Sequence, residues 1–215
     1  MINKIGILGG TFNPIHNGHV DLGLRILEAF NLDRVLYILS AKPPHKPHQE
    51  IVPVELRWKM LNIVLKSFPS LEPCPIEMER PGLSWTIDTV NVLRSQHPEA
   101  QLYFISGSEG FLKIRTWKDY RTLMKAISFI VVLRKSGHRQ KVIELLKEEN
   151  IPICDEADQG QRPTSPCANL FSYESDQLPI SSTMIREKIK SCRPIDPFLD
   201  KRIKKIIEEY GLYGY

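Results

Sequence analysis

Near the start of this 215-residue chain a glycine-rich turn separates two apolar runs of different period: Gly9-Gly10-Thr11-Phe12-Asn13-Pro14-Ile15-His16-Asn17-Gly18-His19. Residues 4–8 read as a strand and residues 18–30 as an amphipathic helix. A strand, a tight glycine turn and a helix start form a backbone cradle for an anion, because unpaired N–H groups and the positive end of the helix dipole converge there. His16 and His19 stand three residues apart at that helix start, on one face. Pro14 disfavours helical geometry at Asn13, so the helix begins late. The turn lacks the Gly-Lys-Ser/Thr of a P-loop and the Gly-x-Gly-x-x-Gly dinucleotide fingerprint.

Beyond the turn, strand-like and helix-like segments alternate. Residues 34–40, 74–78, 101–106 and 128–133 read as strands. Residues 54–67 (with Leu56, Met60, Leu61, Val64 and Leu65 at helical spacing), 87–95, 137–150 and 198–210 read as helices. Residues 155–166 read as a polar loop. This alternation predicts an α/β protein with a mostly parallel sheet and helices on both faces, and a helical C-terminal segment from about residue 181. No composition break splits residues 1–215, which are expected to form one domain. The loops after residues 8, 40 and 106 are expected to meet at the carboxyl edge of the sheet, where such folds bind ligands.

The net charge of +4 suits a small anionic ligand, and no block of five or more Lys and Arg argues for nucleic acid. Cys74, Cys154, Cys167 and Cys192 are scattered and read as reduced thiols. No signal peptide or apolar span is evident, so the expectation is a cytoplasmic protein without membrane contact.

Two further motifs carry chemistry. Ile180-Ser181-Ser182-Thr183-Met184-Ile185-Arg186 opens a helix running to about Ser191, with a serine cap and an arginine one turn in. Pro43-Pro44-His45-Lys46 is a stiff segment just past the second strand.

Together these residues resemble the nucleotidylyltransferase superfamily, through Gly10-Thr11-Phe12-Asn13-Pro14 with His16-Asn17-Gly18-His19 and through Ser181-Ser182-Thr183 with Arg186. Pro43-Pro44-His45-Lys46, Ser84-Trp85-Thr86-Ile87-Asp88-Thr89, Gly107-Ser108-Glu109 followed by Trp117, and the ending Tyr210-Gly211-Leu212-Tyr213 resemble the bacterial nicotinate-mononucleotide adenylyltransferases. The likeness runs from about residue 3 to 213. It implies a Rossmann-like doubly wound fold and adenylyl transfer from ATP to nicotinate mononucleotide, giving deamido-NAD and pyrophosphate. It implies catalytic roles for His16, His19, Lys46 and Arg186. ATP contacts would come from Gly9, Gly10, Thr11, Phe12, His16, His19, Gly107, Ser108, Ser181, Ser182, Thr183 and Arg186. Mononucleotide contacts would come from His45, Lys46, Thr86 and Trp117, with Trp117 stacking on the pyridine ring. Glu109, where the family carries Asp, and Arg134, in a segment departing from the family's Arg-Pro-Gly, complete that set. Mg²⁺ is expected on the ATP phosphates, with no metal ligand from the protein, and a homo-oligomer stays open.

The chemistry fits these residue types. The attacking phosphate has a second pKa of about 6, so it is mostly a dianion at neutral pH and needs no general base. Positioning and electrostatics then carry the transfer. Other readings are transfer to nicotinamide mononucleotide, pantetheine phosphate or FMN, and, in a different class, a non-catalytic nucleotide sensor.

Overall fold

The computed structural model describes residues 3–44, 51–133, 137–151, 153–154, 170–174 and 180–215. His45, Lys46, Arg134 and the expected loop 155–166 lie outside these residues.

Period-two burial builds the centre of the sheet. In β1 (Lys4–Gly10), Ile5 and Ile7 join one apolar cluster while Leu8 joins the other. The same alternation divides β2 (Arg34–Leu39), where Val35, Tyr37 and Leu39 face one way and Leu36 and Ile38 the other. With β3 (Leu71–Cys74), β4 (Gln101–Gly107), β5 (Ser128–Leu133), β6 (Ile153–Cys154) and β7 (Leu170–Glu174) they form one seven-stranded sheet. The order is β3-β2-β1-β4-β5-β7-β6, and every ladder is parallel.

Helices cover both faces, as a parallel sheet requires. One cluster packs α1 (Asn17–Ala29), α2 (Val54–Leu65), α7 (Ser182–Lys190) and α8 (Lys201–Glu209) against the sheet. The opposite cluster takes α3 (Thr86–Gln96), α5 (Tyr120–Ala126) and α6 (His138–Glu148). A single turn, α4 (Ser108–Phe111), follows β4 directly. Because β2 and β4 flank β1 on opposite sides, the chain reverses its winding at β1, and a crevice opens at the carboxyl ends of β1 and β4.

Three differences from the sequence pattern have physical reasons. The third strand is Leu71–Cys74, not 74–78, since Pro75 starts a turn whose carbonyl accepts from the Met78 amide at 2.7 Å. Pro73 is tolerated inside β3 because β3 is the sheet edge. The last helix begins only at Lys201, where the Asp200 side chain caps the Arg202 amide. The short elements α5 and β7 carry too few periodic residues to stand out in sequence. Among the described residues Cys74 and Cys192 are free, and no helix is long and apolar enough to cross a membrane.

Candidate active site

The turn after β1 is built by side chains packing over glycines. A Cβ on Gly10 would come within 2.9 Å of the Phe12 ring, so the glycine lets that ring fold back under the strand end. The left-handed residue is Phe12 itself (φ 45°), and neither Gly9 nor Gly10 has a positive φ. A bulky residue there costs on the order of 1–2 kcal/mol, which its surroundings must offset. They do so by burying the Phe12 ring edge-on to His19 and beside Tyr37. Phe12 therefore offers a ligand its backbone and not its ring.

His16 caps α1 with extended backbone and is buried, while His19 sits in the first turn. The His16 amide donates to His19 Nδ1 at 3.2 Å, which leaves the proton of a neutral His19 ring on Nε2. The two imidazoles stack with centroids 3.6 Å apart. A Cβ on Gly18 would press on the His16 ring at 3.2 Å and on Ile180 at 3.4 Å. The glycine between the histidines thus admits the second motif. Tyr37 completes the support, its hydroxyl donating to the His19 carbonyl at 2.8 Å.

The second motif docks onto the first across 168 residues of chain. Ser181 caps α7, its hydroxyl accepting from the Met184 amide at 3.1 Å. Ser182 Oγ donates to the Pro14 carbonyl at 2.9 Å. Arg186 donates to the Asn13 carbonyl at 2.9 Å and to Thr183 Oγ1 at 3.3 Å. Two helix N-termini thereby meet at one turn, and each brings positive potential. A cavity of about 490 Å³ flanks this junction, lined in part by Thr183, Arg186, Lys190 and Tyr213.

Of the expected mononucleotide residues, Thr86, Glu109 and Trp117 lie among the described ones. Thr86 opens α3, and the preceding Ser84 exchanges two hydrogen bonds with Lys42 of the loop after β2: Ser84 N–H to the Lys42 carbonyl at 3.0 Å, and Lys42 N–H to Ser84 Oγ at 3.1 Å. Trp117 is half-buried, edge-on to Phe104, and its neighbour Lys118 pairs with Asp88 of α3 at 3.2 Å. Gly107 and Glu109 are exposed at the end of β4. Ser108 is not, being 2% exposed with its hydroxyl engaged by His138 Nδ1 at 2.8 Å, so it too presents backbone.

Sequence reasoning missed two residues that hold this site. Arg57 of α2 is only 2% exposed, and its guanidinium reaches four carbonyls: Val52 and Ser40 at 2.8 Å, Thr11 at 2.9 Å and Ala41 at 3.2 Å. Burial pushes its pKa down to about 10, which leaves it charged at neutral pH. The signal was present, since Arg57 lies on the stripe of Met60, Leu61 and Val64, at i+3, i+4 and i+7. Tyr213 at the chain end is the second. Its hydroxyl donates to Asn13 Oδ1 at 3.0 Å, and burial raises its pKa against the pull of Arg186 and Arg57, so it remains a neutral donor.

A parallel sheet that reverses at β1, with two helix starts and a histidine pair over that strand end, defines a nucleotidyltransferase. The cytidylyltransferase-like family model matches residues 7–188. The chain is 35% identical over 211 residues to a probable nicotinate-nucleotide adenylyltransferase of Moorella thermoacetica, covering 98% of this chain and 91% of that one. It is 34% identical to the nicotinate-nucleotide adenylyltransferase of Bacillus subtilis, covering 99% of each. The chain belongs to the nicotinate-nucleotide adenylyltransferase family. In fold it is similar to the nicotinic acid mononucleotide adenylyltransferase of Plasmodium falciparum complexed with NaAD, with a TM-score of 0.77 at 18% identity over 99% of this chain and 98% of that one.

Proposed function

We infer that this chain transfers the adenylyl group of ATP to nicotinate mononucleotide, releasing pyrophosphate and forming nicotinate adenine dinucleotide. The observation that carries the reading is the junction of the two helix starts, where Ser182 and Arg186 bond to the Pro14 and Asn13 carbonyls beside the stacked histidines. Such a junction suits the triphosphate of one substrate, and Thr86 and Trp117 are assigned to the second nucleotide from the resemblance.

An oxygen of the mononucleotide phosphate attacks the α-phosphorus of ATP. The bond from that phosphorus to the bridging oxygen breaks, and its electron pair leaves with pyrophosphate. His16, His19, Arg186 and the turn amides stabilise the charge growing on the leaving group, with Lys46 assigned the same role from the resemblance. His19 does so as an Nε2–H donor. Thr11 and Phe12 contribute backbone, as does Ser108. Trp117 offers a ring face to the pyridine, with Thr86 beside it.

The donors at the junction are cations, hydroxyls and N–H groups, which suit phosphate oxygens and not a metal. Among the described residues no group of three or more His, Cys, Asp or Glu side chains gathers as a metal site. We assign Mg²⁺ to the ATP phosphates, where it would offset their charge.

The test is pyrophosphate release from ATP, nicotinate mononucleotide and Mg²⁺. Turnover supports the reading; ATP binding without turnover would replace it with a sensor. Comparing kcat/KM for nicotinate and nicotinamide mononucleotide then fixes the substrate, and a ratio near one would defeat the nicotinate preference.

A further inference from the structure

We propose that Arg57 is a positioning residue that aims the backbone amides of the two nucleotide sites, holding their carbonyls inward so that the N–H groups of the same peptides face out. The proposal rests on the adenylyl-transfer reading for its kinetic consequence, though not for its geometry.

In a trans peptide the C=O and the following N–H point in opposite directions. Arg57 draws in the carbonyls of Thr11, Ser40 and Ala41. The outward partners of these groups are the amides of Phe12, Ala41 and Lys42. For Lys42 the consequence is visible, since its amide donates to Ser84 Oγ just before α3. For Phe12 the same logic turns its amide away from the arginine, at the left-handed residue of the phosphate turn. One buried fork thus sets a peptide on the ATP side and another on the mononucleotide side.

The choice of arginine fits this task. Its planar fork offers five donors in fixed directions, and Nε, Nη1 and Nη2 are all used here. A lysine in its place keeps the charge but cannot span three chain segments. Among the described residues Arg57 forms no ion pair, so its charge is spent on carbonyl oxygens and also adds to the positive potential of the turn.

The test compares Arg57→Lys and Arg57→Gln with wild type. In Arg57→Lys, kcat is expected to fall on the order of 10- to 100-fold, as misplaced reactants lose rate more than binding. The affinity for inorganic pyrophosphate should weaken about 10-fold, and the KM for nicotinate mononucleotide should rise about threefold or more, because both sites lose a peptide that the arginine aims. Arg57→Gln should lose more on both counts. A folded Arg57→Lys with wild-type kcat and pyrophosphate affinity overturns the proposal. If neither variant folds, wild-type amide NMR decides. Adding pyrophosphate should shift the Phe12 N–H resonance, and a Phe12 amide that stays still while the His19 ring resonances move overturns it. Wild type without turnover would refute the adenylyl-transfer reading and leave the NMR test standing.

Discussion

Two neighbouring strands of the sheet end in glycine and run into helices, yet the two turns are built differently. After β1 the turn is tied from four directions: by Arg57 at Thr11, by Arg186 and Tyr213 at Asn13, and by Ser182 at Pro14. After β4 the Ser108 hydroxyl meets His138 Nδ1 and the Ser106 hydroxyl donates to the Gly107 carbonyl at 3.2 Å, while Gly107 stands open to solvent. The helix behind the first turn has 13 residues and the helix behind the second has 4. A long helix aligns its peptide dipoles along many turns, while a single turn offers little more than its own N–H groups. In the proposed reaction charge stabilisation therefore falls to the first turn, and the second is left for the less charged nucleoside.

That contrast breaks most directly at His19. His19→Ala should lower kcat on the order of 10²-fold or more with folding intact, since its Nε2–H acts on charge that grows in the transition state. Steady-state pyrophosphate release measures this, and a near-wild-type kcat would move charge stabilisation elsewhere. Arg186→Ala should lose on the order of 10- to 100-fold in kcat/KM for ATP, because the substitution removes a cation and also frees the Asn13 carbonyl. An unchanged ATP KM and kcat in that variant would reduce Arg186 to a surface residue.

Much of the first turn was legible because its rules are local. A strand, paired glycines, Pro14 and a histidine-marked helix start lie within sixteen residues, and each names its own conformation. Ser181 to Arg186 was legible for the same reason, and the cap appears where the serine stands. What the pattern could not convey is contact between distant segments. The apolar stripe of Val-Glu-Leu-Arg-Trp and the residues after it marks Arg57 as inward-facing, but its four carbonyl partners come from segments the pattern does not connect. Tyr213 meets Asn13 across 200 positions of sequence. The left-handed residue of the turn was not legible either, since a buried aromatic residue and not a glycine takes it. Strand β3 shifted for a local reason that was visible, the proline at 75, but its edge position was not.

The glycines themselves sharpen the comparison, with smaller effects. Gly10→Ala places a Cβ within 2.9 Å of the buried Phe12 ring, an overpacking expected to cost about 1–3 kcal/mol in urea unfolding. Gly107→Ala meets nothing within 4 Å, at a φ of −67° that any residue adopts, and should stay within about 0.5 kcal/mol of wild type. Equal losses at both positions would show that the second turn is as tightly built as the first.

The smallest effect is expected at Glu109, exposed in the first turn of α4. By the resemblance it takes the place of the family's aspartate, with one more methylene in its side chain. Glu109→Asp should change kcat/KM for either substrate by less than about threefold, because a site held by one short helix tolerates a shift of its ligand. A loss above 10-fold confined to ATP would mean that this turn is tuned to the longer side chain. The open turn would then be as specific as the braced one, by side-chain length in place of backbone ties.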